Sequence, residues 1–178
     1  MVMVKKLLKL SIILLAISKI GIAVAQDKSP EKISNDWSSF ECYVVSGAIN
    51  MVAFKNGERL SKVSREKGRL YIQMNKQNSS QFEGTYFAGF PLKVASQARL
   101  RIDGDKSFLL YSHPEPKNSE EKAYAWSHPN DDTKLIEALK KGSKAVVESN
   151  SHTGKVIKDT FALKGFTSAL NFMKSKCK

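Results

Sequence analysis

Cysteine is nearly missing from this sequence. Cys42 and Cys177 are the two present in 178 residues, too few for an iron–sulfur cluster or an all-cysteine zinc site. Histidine is scarce as well: His113, His128 and His152 stand 15 and 24 residues apart. The close spacing that puts two zinc ligands on one face of a helix or turn is therefore absent, and neither a metal nor another cofactor is expected. Five prolines and ten glycines without a repeat exclude a collagen helix and a Pro-rich linker, and the mixed charges exclude a disordered acidic tail. No Gly-x-Ser-x-Gly pentapeptide occurs, so the nucleophile elbow of a serine hydrolase is missing. Long apolar runs are lacking too. The longest is about 9 residues before Lys19 interrupts it, where ~20 are needed to span a bilayer as a helix.

That short run has a meaning of its own. Lys5, Lys6 and Lys9 precede it and Ala23-Val24-Ala25 follows it, the basic, apolar, small-x-small order of a secretory signal peptide, with cleavage expected after Ala25. Removing residues 1–25 takes away four lysines and leaves 25 basic against 17 acidic side chains, a charge of +8. At about 150 residues per domain the remainder holds one core. Residues 26–36 are polar, contain Pro30 and show no period, so a flexible lead-in is expected before a single domain over residues 37–178.

Export places the two cysteines in an oxidising compartment, where a lone pair forms one bridge by default. Their local patterns agree. Alternation puts Phe40, Cys42 and Val44 on one side of a strand. Phe166, Ala169, Leu170, Met173 and Cys177 recur at spacings of 3, 1, 3 and 4, one stripe of a helix. A Cys42–Cys177 disulfide is thus expected, tying the first strand to the C-terminal helix.

Between them, Arg69–Met74 alternates and Gln81–Phe87 is rich in aromatics, both strand signals. Arg99–Ile102 and Ser107–Tyr111 flank Asp103-Gly-Asp-Lys106, the clearest hairpin. Ala123–Trp126 reads as a short strand after a polar loop over residues 113–121. Asp131-Asp132-Thr133 offers a cap for a helix of two to three turns that ends at Gly142. Lys144–Glu148 and Val156–Leu163 form a second hairpin, and a helix over Phe166–Lys176 closes the chain. Residues 46–67 fit either a short hairpin at Asn56-Gly57 or a long loop. The sum is an all-β chain: an antiparallel β-sandwich or partly closed barrel with one short helix and a C-terminal helix. No βαβ rhythm supports a nucleotide-binding parallel sheet.

Candidate chemistry is thin. Cys42 in a bridge has no thiolate to offer. Asp103 and Asp105 serve a turn better than a general acid/base pair, and Asp131-Asp132 serves a cap. The chain is not expected to be an enzyme. The one signal without a structural use is charge: Lys55, Arg59, Lys62, Arg65, Lys67 and Arg69 outweigh Glu58 and Glu66 by four. Such a segment could meet an anionic polymer, lipid head groups or an acidic host surface, with at most peripheral membrane association; the plainer alternative, which charge runs usually follow, is a solvated loop. Nucleic acid is not expected as a partner of an exported protein, in spite of a pI near 9.7.

Taken in order, Trp37 with Cys42-Tyr-Val-Val-Ser46, Arg69-Leu-Tyr-Ile72, Arg101-Ile-Asp-Gly104 before Phe108, Ala125-Trp126, Leu139-Lys-Lys-Gly142 and Asp159-Thr-Phe-Ala-Leu-Lys-Gly-Phe166 leading to Cys177 resemble the invasion associated locus B family of exported alphaproteobacterial proteins. The resemblance covers most of residues 37–177, and Ala-Leu-Lys-Gly-Phe-Thr is its most specific piece. It implies a periplasmic, outer-membrane-associated or secreted β-sandwich, linked in some pathogens to entry into host cells. Members lack an assigned enzymatic activity, so no catalytic residue carries over. The chain departs from the family in a longer, more basic stretch at residues 46–67 and in having one glycine at residues 149–154. A non-enzymatic envelope protein that binds a partner is the expectation; the alternative is a periplasmic structural or stress-protective protein with no part in invasion.

Overall fold

The computed structural model describes residues 29–177 apart from 77 and 79; the signal peptide expected at residues 1–25 lies outside the described residues. Among the described residues twelve strands and two α-helices follow in chain order, with a 3-10 turn at Glu121–Ala123: β1 Lys32–Ser34, β2 Trp37–Ser39, β3 Tyr43–Gly47, β4 Asn50–Lys55, β5 Glu58–Arg59, β6 Arg69–Met74, β7 Phe82–Phe87, β8 Gln97–Ile102, β9 Lys106–Ser112, β10 Tyr124–Ser127, α1 Asp132–Lys141, β11 Lys144–Asn150, β12 Val156–Ala162 and α2 Phe166–Lys176. All pairings between strands are antiparallel, in the order β1-β2-β3-β6-β7-β10-β9-β8-β11-β12-β4-β5. The sheet folds over into an open sandwich, as expected. Strands β3 and β4 stand far apart in that order, yet only Ala48 and Ile49 separate them in the chain. One bent segment therefore serves both layers.

The expected hairpins form where their turns allow. Asp103 and Gly104 turn β8 into β9 with φ of 50° and 89°, the left-handed region that Asp tolerates and glycine favours. Asn56 and Gly57 link Lys55 to its partner Glu58 with φ of 52° and 85°, the two-residue turn that Asn-Gly encodes. Residues 46–67 thus hold a short hairpin followed by a loop over 60–68. Alternation sends Ala98, Leu100 and Ile102 inward and Gln97, Arg99 and Arg101 outward along β8.

The core joins Trp37, Leu70, Ile72, Tyr86, Leu100, Leu110, Phe161, Phe166 and Leu170 in one cluster. Trp37 packs on Phe166 with ring centroids 4.8 Å apart, and its indole N–H donates to the Ala162 carbonyl at 3.0 Å. Two sequence expectations need correction. Within the segment expected to be flexible, Lys32–Ser34 forms β1, paired with β2 through a turn at Asn35. It is held from outside its own sequence: Ser34 meets Ser168 of α2 at 3.3 Å, and Lys32 lies over the Phe172 ring. Gly165 opens α2 at φ 92°, a conformation glycine favours, and a side chain there would overlap the Ser34 carbonyl. In α1, Asp131 makes no side-chain cap bond. Its neighbour Asp132 is buried instead and accepts the Ser127 hydroxyl, which in turn accepts the Gly84 amide at 2.8 Å. Burial raises the Asp132 carboxyl, against the Ser127 bond that lowers it.

Cys42 and Cys177 are joined, with Cα atoms 4.7 Å apart across a separation of 135 residues. The end of α2 is thereby fastened to the start of β3. Denatured but unreduced protein should expose no thiol to labelling. Changing both cysteines to Ala should lower stability by roughly 2–5 kcal/mol, the usual loss for a native bridge in a small secreted domain.

Candidate binding surfaces

The six cations of residues 55–69 are spread over a hairpin, the loop at residues 60–68 and the start of β6. Lys55 and Arg59 sit exposed on the β4–β5 hairpin, and Lys62 is exposed on the loop that follows. Lys67 lies along Gly47, where a Cβ would crowd its side chain. Arg69 opens β6 with its guanidinium 5.4 Å from the Phe87 ring centroid.

Arg65 is the exception and corrects the sequence reading. Its side chain is 3% exposed and pairs with the Asp159 carboxylate of β12, itself 0% exposed. The guanidinium also donates to the Ala88 carbonyl at 2.5 Å and lies over the Phe90 ring. The Tyr86 hydroxyl donates to the other Asp159 oxygen at 2.7 Å. Gly68 leaves the room this requires, since a Cβ there would overlap the Asp159 carboxylate. Burial pushes the Asp159 carboxyl above its ordinary range, against the pull of Arg65 and Tyr86. Burial first and the Asp159 charge second hold the Tyr86 hydroxyl well up, so it remains a donor. A carboxyl raised on folding contributes stability that is full below its unfolded pKa and declines as pH rises through the folded one. The pair fixes the loop against β12, and removing one partner alone would leave the other buried without compensation.

Surface cations do converge elsewhere. Arg99 and Arg101 of β8, Lys144 of β11 and Lys158 of β12 border a hollow of about 250 Å³ on the outer face of one layer. Register puts Arg99 opposite Glu148 and Arg101 opposite Val146. Glu148 also pairs with Lys158 at 3.0 Å. Asp103, the other carboxylate at the rim, is taken up by the Ser143 hydroxyl at 2.7 Å and the amides of Ser143 and Lys144. The Ser143 bonds, then the Lys144 amide, hold its carboxyl below the usual range. Sequence reading passed over this face because its cations come from three strands. The signal was the Arg-x-Arg alternation of β8.

A second outward hollow, of about 500 Å³, lies over β3, β6, β7 and β10 and is bordered by Tyr43, Tyr71, Tyr124 and Trp126. Tyr43 and Tyr71 stand 6.2 Å apart, and Tyr124 stacks on Trp126 at 6.0 Å. The Tyr124 hydroxyl is raised, by burial first and then by neighbouring Tyr71 and Glu120.

These features define a disulfide-stapled antiparallel β-sandwich with two helices packed into its core and two chemically distinct outward hollows. The chain belongs to the family described as "Invasion associated locus B (IalB) protein", whose profile matches residues 61–174. Cys42 and Cys177 fall outside that match. Among solved structures the chain is similar to invasion associated protein B from Bartonella henselae, with a TM-score of 0.54 and 14% identity over 81% of this chain and 95% of that one. At that identity the likeness shows the fold. No curated protein sequence matches this chain significantly.

Burial of Arg65 separates its substitution from those of its neighbours. Arg65→Gln leaves Asp159 dehydrated without its partner and should cost about 3–5 kcal/mol in denaturant unfolding. Lys62→Gln, on the exposed part of the same loop, should stay within about 0.5 kcal/mol of the native chain.

Proposed function

We propose that this is an exported, non-catalytic binding protein of the bacterial cell envelope, resident in the periplasm or on the outer membrane, that lies peripherally against an anionic surface. The observation that carries this reading is the convergence of Arg99, Arg101, Lys144 and Lys158 on one outer sheet face. Two arginines at alternate positions of one strand present planar donors suited to phosphate or carboxylate groups. A rigid antiparallel sheet holds them at fixed spacing.

Family membership supports the envelope setting and the association with host-cell invasion. The Cys42–Cys177 bridge suits an oxidising compartment. The non-catalytic reading rests on where the candidate acid, base and nucleophile groups are spent. Cys42 is in the disulfide, Asp103 holds the Ser143–Lys144 corner, Asp132 holds Ser127, and Asp159 holds Arg65. Among the described residues no helix is long and apolar enough to cross a membrane.

Co-sedimentation with phosphatidylglycerol vesicles tests the surface. Binding is expected at low ionic strength and should fade as the screening length shrinks to about 8 Å near physiological salt. At roughly 1 kcal/mol per cation near an anionic membrane, changing Arg99, Arg101 and Lys144 together to Gln should weaken it on the order of a hundredfold. Lys62→Gln should leave it unchanged. Equal binding by the triple variant would overturn the assignment. Recovery of the native protein from cytoplasm rather than periplasm or outer membrane would overturn export.

A further inference from the structure

The aromatic hollow on the other layer carries the opposite charge to the rest of the molecule. Tyr71 of β6 and Trp126 of β10 are both in register with Thr85 of β7, one on either side. With strands about 4.8 Å apart, their backbones stand about 10 Å from one another, and the small Thr85 side chain forms the floor between two rings. Tyr43 extends the Tyr71 wall and Tyr124 extends the Trp126 wall. The result is a trough with an aromatic wall on each side and about 500 Å³ of open space.

Three carboxylates border that space, and no lysine or arginine does. Glu83 lies on the floor strand one same-face step from Thr85, and Glu120 and Glu121 lie on the loop and 3-10 turn before β10. Their bonds are to neutral groups: Glu83 accepts the Thr85 hydroxyl at 3.3 Å, and Glu121 accepts the Lys117 amide at 2.7 Å and the Asn118 side chain. Among the described residues none of the three carboxylates is in an ion pair with Lys or Arg. A chain of formal charge +12 thus carries one pocket whose charged border is wholly negative.

The geometry points to a binding site for a quaternary ammonium group of the choline type. Ring faces carry negative quadrupoles that attract cations, and a cage of aromatic rings is the usual site for methylated ammonium. The carboxylates add attraction through space without having to reach hydrogen-bond distance. A bare ammonium is strongly hydrated and would have to give up water for directed acceptors, whereas methyl groups lose little by leaving water for ring faces. A neutral sugar could stack on the same rings but would gain nothing from three carboxylates. Arg69, level with Tyr124 across Phe87, is the cation beside one end of the trough, where an anion joined to the ammonium would lie.

Tryptophan emission reports on the site, because the chain has two tryptophans, Trp126 bordering the trough and Trp37 buried in the core. Choline added to the intact mature protein at low salt should change the emission with roughly millimolar half-saturation. The uncharged isostere 3,3-dimethylbutan-1-ol should bind at least tenfold more weakly. Glu83→Gln and Tyr71→Leu should each weaken choline severalfold while the melting temperature stays put. Substitutions in the Arg99–Lys144 face should have no effect. Phosphatidylcholine vesicles separate the sources: co-sedimentation that choline displaces identifies a lipid headgroup, and choline binding without vesicle binding identifies a free solute. Equal binding of the neutral isostere, equal binding of methylamine, or no response to about 100 mM choline would each overturn the proposal.

Discussion

One constraint organises this molecule: a single segment, Tyr43–Lys55, must serve both layers of the sandwich with two residues, Ala48 and Ile49, to make the passage. The corner it makes cannot be closed by regular pairing alone. Ala48 donates its amide to the Gly68 carbonyl at 2.8 Å, and Ile49 donates to Thr160 at 2.7 Å, so the two halves of the bend are satisfied by different partners. The loop over residues 60–68 is drawn across the gap to supply the first of these. Arg65 is buried because that loop has to lie there, and Asp159 faces it from β12 because a dehydrated guanidinium needs a charge to meet. Gly47 and Gly68 sit at the closest approaches, under Lys67 and Asp159. The disulfide acts on the same region from the other side, holding the end of α2 to the residue that leads into β3.

How much of this was legible in the sequence follows from the distance over which each feature is determined. The β8–β9 and β11–β12 hairpins and α2 come from alternation, turn residues and a helical stripe inside windows of about 20 residues, and they stand where the pattern put them. The Cys42–Cys177 pairing was legible at long range because two cysteines allow a single pairing. Arg65 was not: its partner Asp159 is 94 residues away, and the sequence shows its charge but not its burial. The β1 strand was hidden because three residues show no period and its support comes from α2. At α1 the doubled aspartates disclosed a helix start but not that Ser127, on the preceding strand, would claim the second of them.

Both outward hollows escaped sequence reading for a related reason. Along one strand, an outward residue at every second position looks like ordinary solvation, as with Arg99 and Arg101 or Tyr71 and Gln73. Meaning arises only when register sets such residues beside those of other strands, and register here depends on pairings between segments far apart in sequence. Tyr71 and Trp126 become neighbours of Thr85 through two ladders. The basic run at residues 55–69 shows the converse: its cations are close in sequence, but Lys55 and Arg59 stand on a hairpin, Arg65 is spent in a buried pair and Arg69 opens a strand.

Net charge is for that reason a poor guide to how the molecule presents itself. Charges spread evenly over a basic protein would repel one another and attract any polyanion from all sides. Here the outward cations of β8, β11 and β12 gather on one layer, and the carboxylates around the aromatic trough gather on the other. Fields from such groups decay within about a nanometre in salt, a distance comparable to the ~10 Å between packed sheets, so each face acts on its surroundings nearly independently. A contact that favours one sign on the first layer leaves the second layer turned away and open to a ligand of the opposite sign. The separation of the two signs arises from which residues alternate outward on each strand.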